Sequence, residues 1–197
     1  MADKVAEFFD AAAEGWDEKS RPDPAILEKI ADVAGVSADK TVLDAGCGTG
    51  VMFPVYFGRN VRSVTAVDVS RNMLREAKKK YPDRGVTFVC ADIAEFSPEQ
   101  GFDCVVVHNA FPHFLRQREA MDNLCALTAP GGTLTVAHSI SRDAVLQCHR
   151  AVPDISRHLP EAQTVAKMFG ADFGSFTVIS DEKCFIVSAV KRRQRDG

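Results

Sequence analysis

The sequence lacks most of what would commit a chain to a membrane, a secretory route or a metal cluster. No apolar run approaches the roughly 20 residues that a bilayer-spanning helix needs. The first residues, MADKVAEFFD, carry acids and no long apolar core, so no secretory leader is expected there. The six cysteines stand apart at 47, 90, 104, 125, 148 and 184, with no C-x-x-C pair. That spacing predicts a reducing, cytoplasmic chain without a disulfide framework. Cys90 and Cys104 lie in strand-like runs and are expected as buried thiols. There is no H-E-x-x-H, no internal repeat and no low-complexity linker. Charge of one sign is also missing. The 24 Lys and Arg against 27 Asp and Glu leave a net charge of −3, which argues against nucleic acid as a main partner. The one concentrated basic run, Lys191-Arg192-Arg193-Gln194-Arg195, reads as a solvated tail.

What remains is an ordinary globular composition, 46% hydrophobic and 26% charged over 197 residues, consistent with one domain spanning 1–197. The chain is organised around Thr41–Gly50, TVLDAGCGTG. A β-branched apolar run ends in Asp44, and glycines follow at 46, 48 and 50. The order predicts strand, tight turn, then a helix opening at Val51. Glycine there lets the backbone approach a ligand where a side chain would collide. A dinucleotide fingerprint, G-x-G-x-x-G, needs glycine at 51, where valine stands, so a nicotinamide oxidoreductase is disfavoured. Asp44 can anchor the loop or accept hydrogen bonds from a cationic ligand group.

Alternation of strand and helix signals continues along the chain. Residues 4–19 predict an amphipathic helix loosened at Gly15, and 23–34 a second helix capped by Asp23 with Pro24 in its first turn. Strands are predicted at 63–67, 86–90, 102–107 and 133–137, and helices from Ser70 to about Lys80, over 114–127 and over 161–169. Lys78-Lys79-Lys80 reads as an exposed helix end. Ala129-Pro130-Gly131-Gly132 predicts a turn. Residues 141–159 form an extra segment interrupted by Pro153. The chain closes on a hairpin, 173–180 and 184–190 around Asp181-Glu182-Lys183. Asp68 ends the second strand 18 residues after Gly50, placed to bind both ribose hydroxyls of a nucleoside.

Asp44-Ala45-Gly46-Cys47-Gly48-Thr49-Gly50 resembles motif I, D/E-x-G-x-G-x-G, of the class I S-adenosylmethionine-dependent methyltransferases. Asp68-Val69-Ser70-Arg71-Asn72-Met73-Leu74 is similar to the family's D-x-S-x-x-M-L, and Leu127–Leu134 to its L-x-P-G-G-x-L. Phe9–Asp17 is similar to the F-D-x-x-A-x-x-Y/W-D opening of ubiquinone/menaquinone-biosynthesis-type members. The resemblance implies a three-layer αβα Rossmann-like fold. Its sheet would be seven-stranded and mostly parallel, with an antiparallel C-terminal hairpin. It implies S-adenosylmethionine as cofactor, held by Asp44, Gly46, Cys47, Gly48, Asp68, Val69, Met73, Asp92, Ile93 and Asn109. Asp92 would meet the adenine amino group, with Ile93 against the ring. It also implies a lid within 1–35, whose Trp16 contacts cofactor or substrate. Residues 108–112, His-Asn-Ala-Phe-Pro, break the D/N-P-P-Y/F motif of adenine-N6 DNA methyltransferases, which again disfavours DNA.

The substrate half should come from the ends of the fourth and fifth strands, the lid and segment 141–159. All five histidines fall there, between 108 and 158. Three readings stay open. In one, the histidines are polar pocket or surface residues with individual structural partners, with Trp16, Phe111, His113 and His149 expected on the substrate side. His108 or His138, pointing into one cleft, can serve as general base. Or His108, His138 and His149 converge on a metal ion or a metallated tetrapyrrole, in a protein that binds S-adenosylmethionine without transfer as its main role. The expected partner is a small molecule, with no membrane. The acceptor and the oligomeric state are not legible.

Overall fold

Short β-branched strands that alternate with amphipathic helices can bury themselves only as a parallel sheet covered on both faces. The computed structural model describes residues 2–82 and 84–193 and has that architecture. Helices α1 (Ala2–Ala12), α2 (Trp16–Lys19) and α3 (Pro24–Val33) precede β1 (Thr41–Ala45). Then come α4 (Phe53–Gly58), β2 (Ser63–Asp68), α5 (Arg71–Lys80), β3 (Val86–Cys90) and β4 (Phe102–His108). A 3-10 turn at Phe111–His113 leads to α6 (Gln117–Leu127) and β5 (Thr128–His138). Helices α7 (Arg142–His149) and α8 (Ala162–Met168) lead to the hairpin β6 (Phe173–Ser180) and β7 (Phe185–Lys191). The seven strands lie in the order β3-β2-β1-β4-β5-β7-β6, with β7 antiparallel to both neighbours.

Local chemistry sets the helix starts. The Asp23 carboxylate accepts the Ala25 N–H at 2.9 Å, the Ser70 hydroxyl accepts the Met73 N–H at 3.0 Å, and Ser141 caps α7 in the same way. Gly15, at φ +74, breaks the N-terminal helix into α1 and α2. Two apolar layers result. Ile30, Val42, Phe53, Tyr56 and Ala77 pack under α3, α4 and α5. Leu43, Val105, Met121, Leu134 and Val165 pack under α6, α7 and α8. Strand β4, between them, is buried along almost its whole length.

Four expectations need correction. Helix α4 starts at Phe53, not Val51, because consecutive turns (Gly50 N–H to Cys47 O, Phe53 N–H to Gly50 O) carry the chain out of the glycine loop first. The helix expected over 114–127 starts at Gln117, after the 3-10 turn. Cys90 is exposed, because β3 is an edge strand whose alternate side chains face solvent; Cys104, on central β4, is buried. Pro130-Gly131-Gly132 is no free turn but lies inside β5. The register against β4 slips there, from Phe102↔Thr128 to Cys104↔Thr133. Gln194 and Arg195 of the basic tail fall outside the described residues, while Arg192 and Arg193 are exposed.

The slip explains the second glycine. A Cβ on Gly132 would stand 2.8 Å from the Asp103 carbonyl oxygen, 2.9 Å from that of Ala129 and 3.0 Å from that of Phe102. Three backbone oxygens of paired strands cannot all retreat, so Gly132→Ala is expected to destabilise the fold by about 1–3 kcal/mol, the usual range for overpacking. Urea denaturation followed by circular dichroism checks this; an unchanged midpoint would show that the bulge relaxes freely.

Candidate active site

In an open parallel sheet the strand order reverses where two chain-adjacent crossovers part, here between β1 and β4, and a crevice opens beyond the strands' carboxyl ends. One cavity occupies it. Its wall includes Gly46, Cys47 and Gly48 after β1, and Asp68 and Val69 at the end of β2. Asp92 and Ile93 follow β3, and His108, Asn109 and His113 follow β4. The roof is the N-terminal segment, through Val5, Phe9, Trp16 and Asp17.

The glycine loop is pinned from below. The amides of Gly46 and Cys47 donate to the Val67 carbonyl at 2.8 and 3.2 Å, and Gly48 donates to the Asp68 carboxylate at 2.8 Å. The three glycines do different work. A Cβ on Gly46 would lie 2.4 Å from the Ala110 Cβ, and one on Gly50 would lie 2.7 Å from the Phe53 ring, so both are required by packing. A Cβ on Gly48 would meet nothing within 4 Å, yet its φ is +53. The loop therefore presents open, side-chain-free backbone to the cavity at Gly48 alone.

Asp68 spends one oxygen on Gly48 and the other on the Ser70 N–H at 2.8 Å. Burial raises its pKa, and these amides oppose the shift without cancelling it. Asp44 is different. It is 2% exposed, it lies beneath the loop rather than on the cavity wall, and its buried Oδ2 has no hydrogen-bond partner. Burial pushes its pKa up to about 7, the neighbouring Asp68 adding to the effect and the Tyr56 phenol opposing it. A buried carboxylate without a partner costs free energy unless a cationic group settles beside it. Asp92 uses Oδ1 on the Ala94 N–H at 2.9 Å and Oδ2 on Arg116 at 2.8 Å. Met73 and Ile93 are buried on the same wall. Asn109 also reaches the wall, but its amide bridges strands. It donates to the Ser139 hydroxyl and accepts the Ser139 N–H, both at 2.9 Å, and its backbone is left-handed at φ +53. It positions the ends of β4 and β5.

The roof is latched by two acids of the F-D-x-x-A-x-x-W-D stretch. Asp10 accepts the Ser70 hydroxyl at 2.6 Å and the Asn72 N–H at 2.9 Å. Asp17 accepts the Thr49 hydroxyl and the Lys80 ammonium, both at 2.6 Å. Burial works against each charge, but these donors hold both carboxyls below the usual range. The aromatic predicted to reach inward does so: Trp16 lines the cavity and stacks edge-on with Phe9 at 5.5 Å, and Phe9 lies 4.8 Å from the His113 ring.

The histidines divide. His108 is on the wall, with its Nε2 unpartnered, and burial lowers its pKa to about 4. His138 does not share the cleft. His108 pairs with Ala137, so alternation turns His138 to the other face, beside Phe185, where burial drives its pKa well down. Phe111, expected in the pocket, is fully buried in the core; Phe114 lines the cavity in its place. His149 reaches not the wall but His113, Nε2 to Nε2 at 3.1 Å. Among the described residues no three His, Cys, Asp or Glu side chains are grouped to hold a metal ion, so the expected convergence of His108, His138 and His149 does not form. Sequence reasoning missed Asp10, Thr49 and Lys80 as latch partners and Arg116 as a wall residue. Arg116 pairs with Asp92, Glu95 and Glu119 at 2.7–2.9 Å, and no local pattern could have linked it to Asp92.

A sequence profile of a methyltransferase domain matches residues 42–132. An uncharacterized methyltransferase of Mycobacterium tuberculosis is 40% identical over 97 residues, 48% of each chain. A trans-aconitate 2-methyltransferase of Rhodopseudomonas palustris is 33% identical over 121 residues, 61% of this chain and 45% of that one. The chain thus matches about half the length of these curated relatives. In fold it is similar to the N-methyltransferase NodS of Bradyrhizobium japonicum, solved with S-adenosyl-L-homocysteine. The TM-score is 0.74 at 17% identity, covering 95% of this chain and 98% of that one. The domain match over the glycine loop, both acidic strand ends and the β5 bulge, together with the seven-stranded order, places the chain in the class I S-adenosylmethionine-dependent methyltransferase family.

Proposed function

We propose that this chain transfers a methyl group from S-adenosylmethionine to a small-molecule nucleophile enclosed beneath the latched N-terminal roof. The observation that carries the reading is the cavity at the sheet's switch point. Its floor is the open backbone of Gly48 with Asp68 and Asp92, and its roof is the aromatic pair of the lid. The residues present fit the cofactor. Gly48 leaves room for a close-lying chain, Asp44 is buried beneath the loop, where its charge would act on a cationic group through the loop rather than by contact, and Asp68 stands where a ribose diol would be held. Met73 and Ile93 supply the apolar walls for an adenine ring, beside Asp92. Bound S-adenosylmethionine supplies an electrophilic methyl on a sulfonium.

The chain's own contribution is positioning, exclusion of water and proton management. Asp10 and Asp17 close α1 and α2 over the crevice, which removes solvent. Phe9, Trp16, Phe114 and His113 make an aromatic-rich chamber for the acceptor. His108 is the proton acceptor in this reading, because it is on the cavity wall and its Nε2 has no partner; burial, which lowers its pKa to about 4, makes it a weak base suited to an acceptor that is itself readily deprotonated. A roofed crevice favours small acceptors over macromolecules, in keeping with the lid-bearing ubiquinone/menaquinone-type resemblance and with a relative named for trans-aconitate.

Calorimetric titration with S-adenosylhomocysteine, repeated on Asp68→Ala, is the direct test: binding that disappears in the variant supports the reading, and wild-type protein that binds neither this ligand nor S-adenosylmethionine overturns it. Asp44→Asn separates fold from function. The folded pKa of about 7 lies above the ordinary 3.8, so wild-type stability is complete below the unfolded value and is lost as pH rises through about 7. The variant should therefore melt higher than wild type at pH 8, by a margin on the order of a few kcal/mol that vanishes toward pH 4, while it loses cofactor affinity. Asp10→Ala removes two charge-assisted hydrogen bonds from the latch and should speed S-adenosylhomocysteine release by about tenfold in stopped-flow fluorescence of Trp16. Once an acceptor is found, His108→Asn should lower kcat by on the order of 100-fold with cofactor affinity unchanged; equal kcat would remove His108 from proton transfer.

A further inference from the structure

His113 and His149 are drawn together from the 3-10 turn after β4 and from the last turn of α7, 36 residues apart in sequence. Each ring is anchored at Nδ1 by a main-chain carbonyl: His113 to Ile155 O at 3.0 Å and His149 to Val145 O at 2.8 Å. A carbonyl oxygen only accepts, so both Nδ1 atoms carry the proton. In neutral imidazoles both Nε2 atoms are then bare lone pairs. Yet the two Nε2 atoms face each other at 3.1 Å. Moving a proton from Nδ1 to Nε2 of either ring would satisfy the Nε2 contact and set the same ring's other lone pair against a carbonyl. No neutral arrangement satisfies all three contacts. The pair needs one added cation between the rings.

We propose that His113 and His149 form a two-histidine binding site for a borderline divalent metal ion, of the zinc, cobalt, nickel or copper class. Two imidazole nitrogens, each ~2.0–2.1 Å from one ion at angles between square and tetrahedral, stand ~2.8–3.4 Å apart, a range that contains the observed 3.1 Å. The anchoring of Nδ1 to a backbone carbonyl is the outer-shell arrangement that fixes a metal-bound histidine's tautomer and ring orientation. A shared proton is the competing cation. A metal ion binds the neutral rings and leaves those Nδ1 bonds intact. Among the described residues no third protein ligand is grouped with the pair, so water or an exogenous donor completes the coordination. Because His113 also lines the substrate side of the cavity, against Phe9, acceptors that carry a metal-binding heteroatom are the ones such a site would favour. The site itself stands whether or not methyl transfer does.

The untagged protein, stripped with chelator, is titrated with Co²⁺ and Zn²⁺ by calorimetry, and with Cu²⁺ under electron spin-echo spectroscopy, which counts coordinated imidazoles through their remote nitrogens. The expected result is one ion per chain with two imidazoles. His113→Gln and His149→Gln should each lower affinity at least tenfold and leave one imidazole, with S-adenosylhomocysteine titration reported separately for each variant. Cys148→Ser, which removes the exposed thiol beside His149, should change nothing. Absence of a stoichiometric ion in wild type overturns the proposal, as does equal binding in the two histidine variants. Histidine ¹⁵N spectra that keep a proton between the rings in excess Zn²⁺ would assign the pair to a shared proton instead.

Discussion

The carboxylate of Asp68 is the joint on which the site depends. It receives the Gly48 amide from the loop after β1 and the Ser70 amide from the start of α5, and so ties two βα units at the sheet's switch point. The Ser70 hydroxyl carries the linkage outward, donating to Asp10 while it caps Met73. One acid at one strand end thus sets the loop, the helix and the roof together. Its charge is sustained by amide hydrogen bonds rather than by a counter-ion, an arrangement that keeps the cavity free of a fixed cation at this point.

Around that joint the protein carries several local costs. Asp44 is buried without a partner for Oδ2, His108 and His138 each hold an unpartnered Nε2, and Asn109 sits in a left-handed conformation. Each is unfavourable by itself. The two apolar layers against a seven-stranded sheet offset them. Their clustering at the carboxyl ends of β1, β4 and β5 fits a surface shaped for a ligand more than for stability.

The histidine-rich segment is two chemistries rather than one. Strand alternation puts His108 in the cavity and turns His138 to the other face of the sheet, so of these two residues at adjacent strand ends only His108 lines the cavity. The turn after β4 and the end of α7 instead bring His113 and His149 together. The N-terminal roof reaches the same place through Phe9, so roof, cavity wall and the extra segment meet at His113.

The strand–helix alternation, the glycine spacing and the terminal hairpin signal were sufficient by themselves to determine the fold class and the sheet's antiparallel ending. These are local signals: period, turn chemistry and the residue at a strand's end act within a few residues of where they are written. Long-range packing decided the rest. Whether Pro130-Gly131-Gly132 is a turn or a bulge depends on the backbone oxygens of β4 against it. Whether Phe111 lines a pocket or fills a core depends on α6 and α8. That Asp17 grips Thr49 and Lys80, that Arg116 holds Asp92, and that His149 meets His113 rather than His138 follow from contacts between residues 24 to 63 positions apart. Sequence determined which elements form and in what order; only the tertiary structure decided their exact ends and which side chains meet, because each meeting is the product of sheet order, register and helix rotation acting at once.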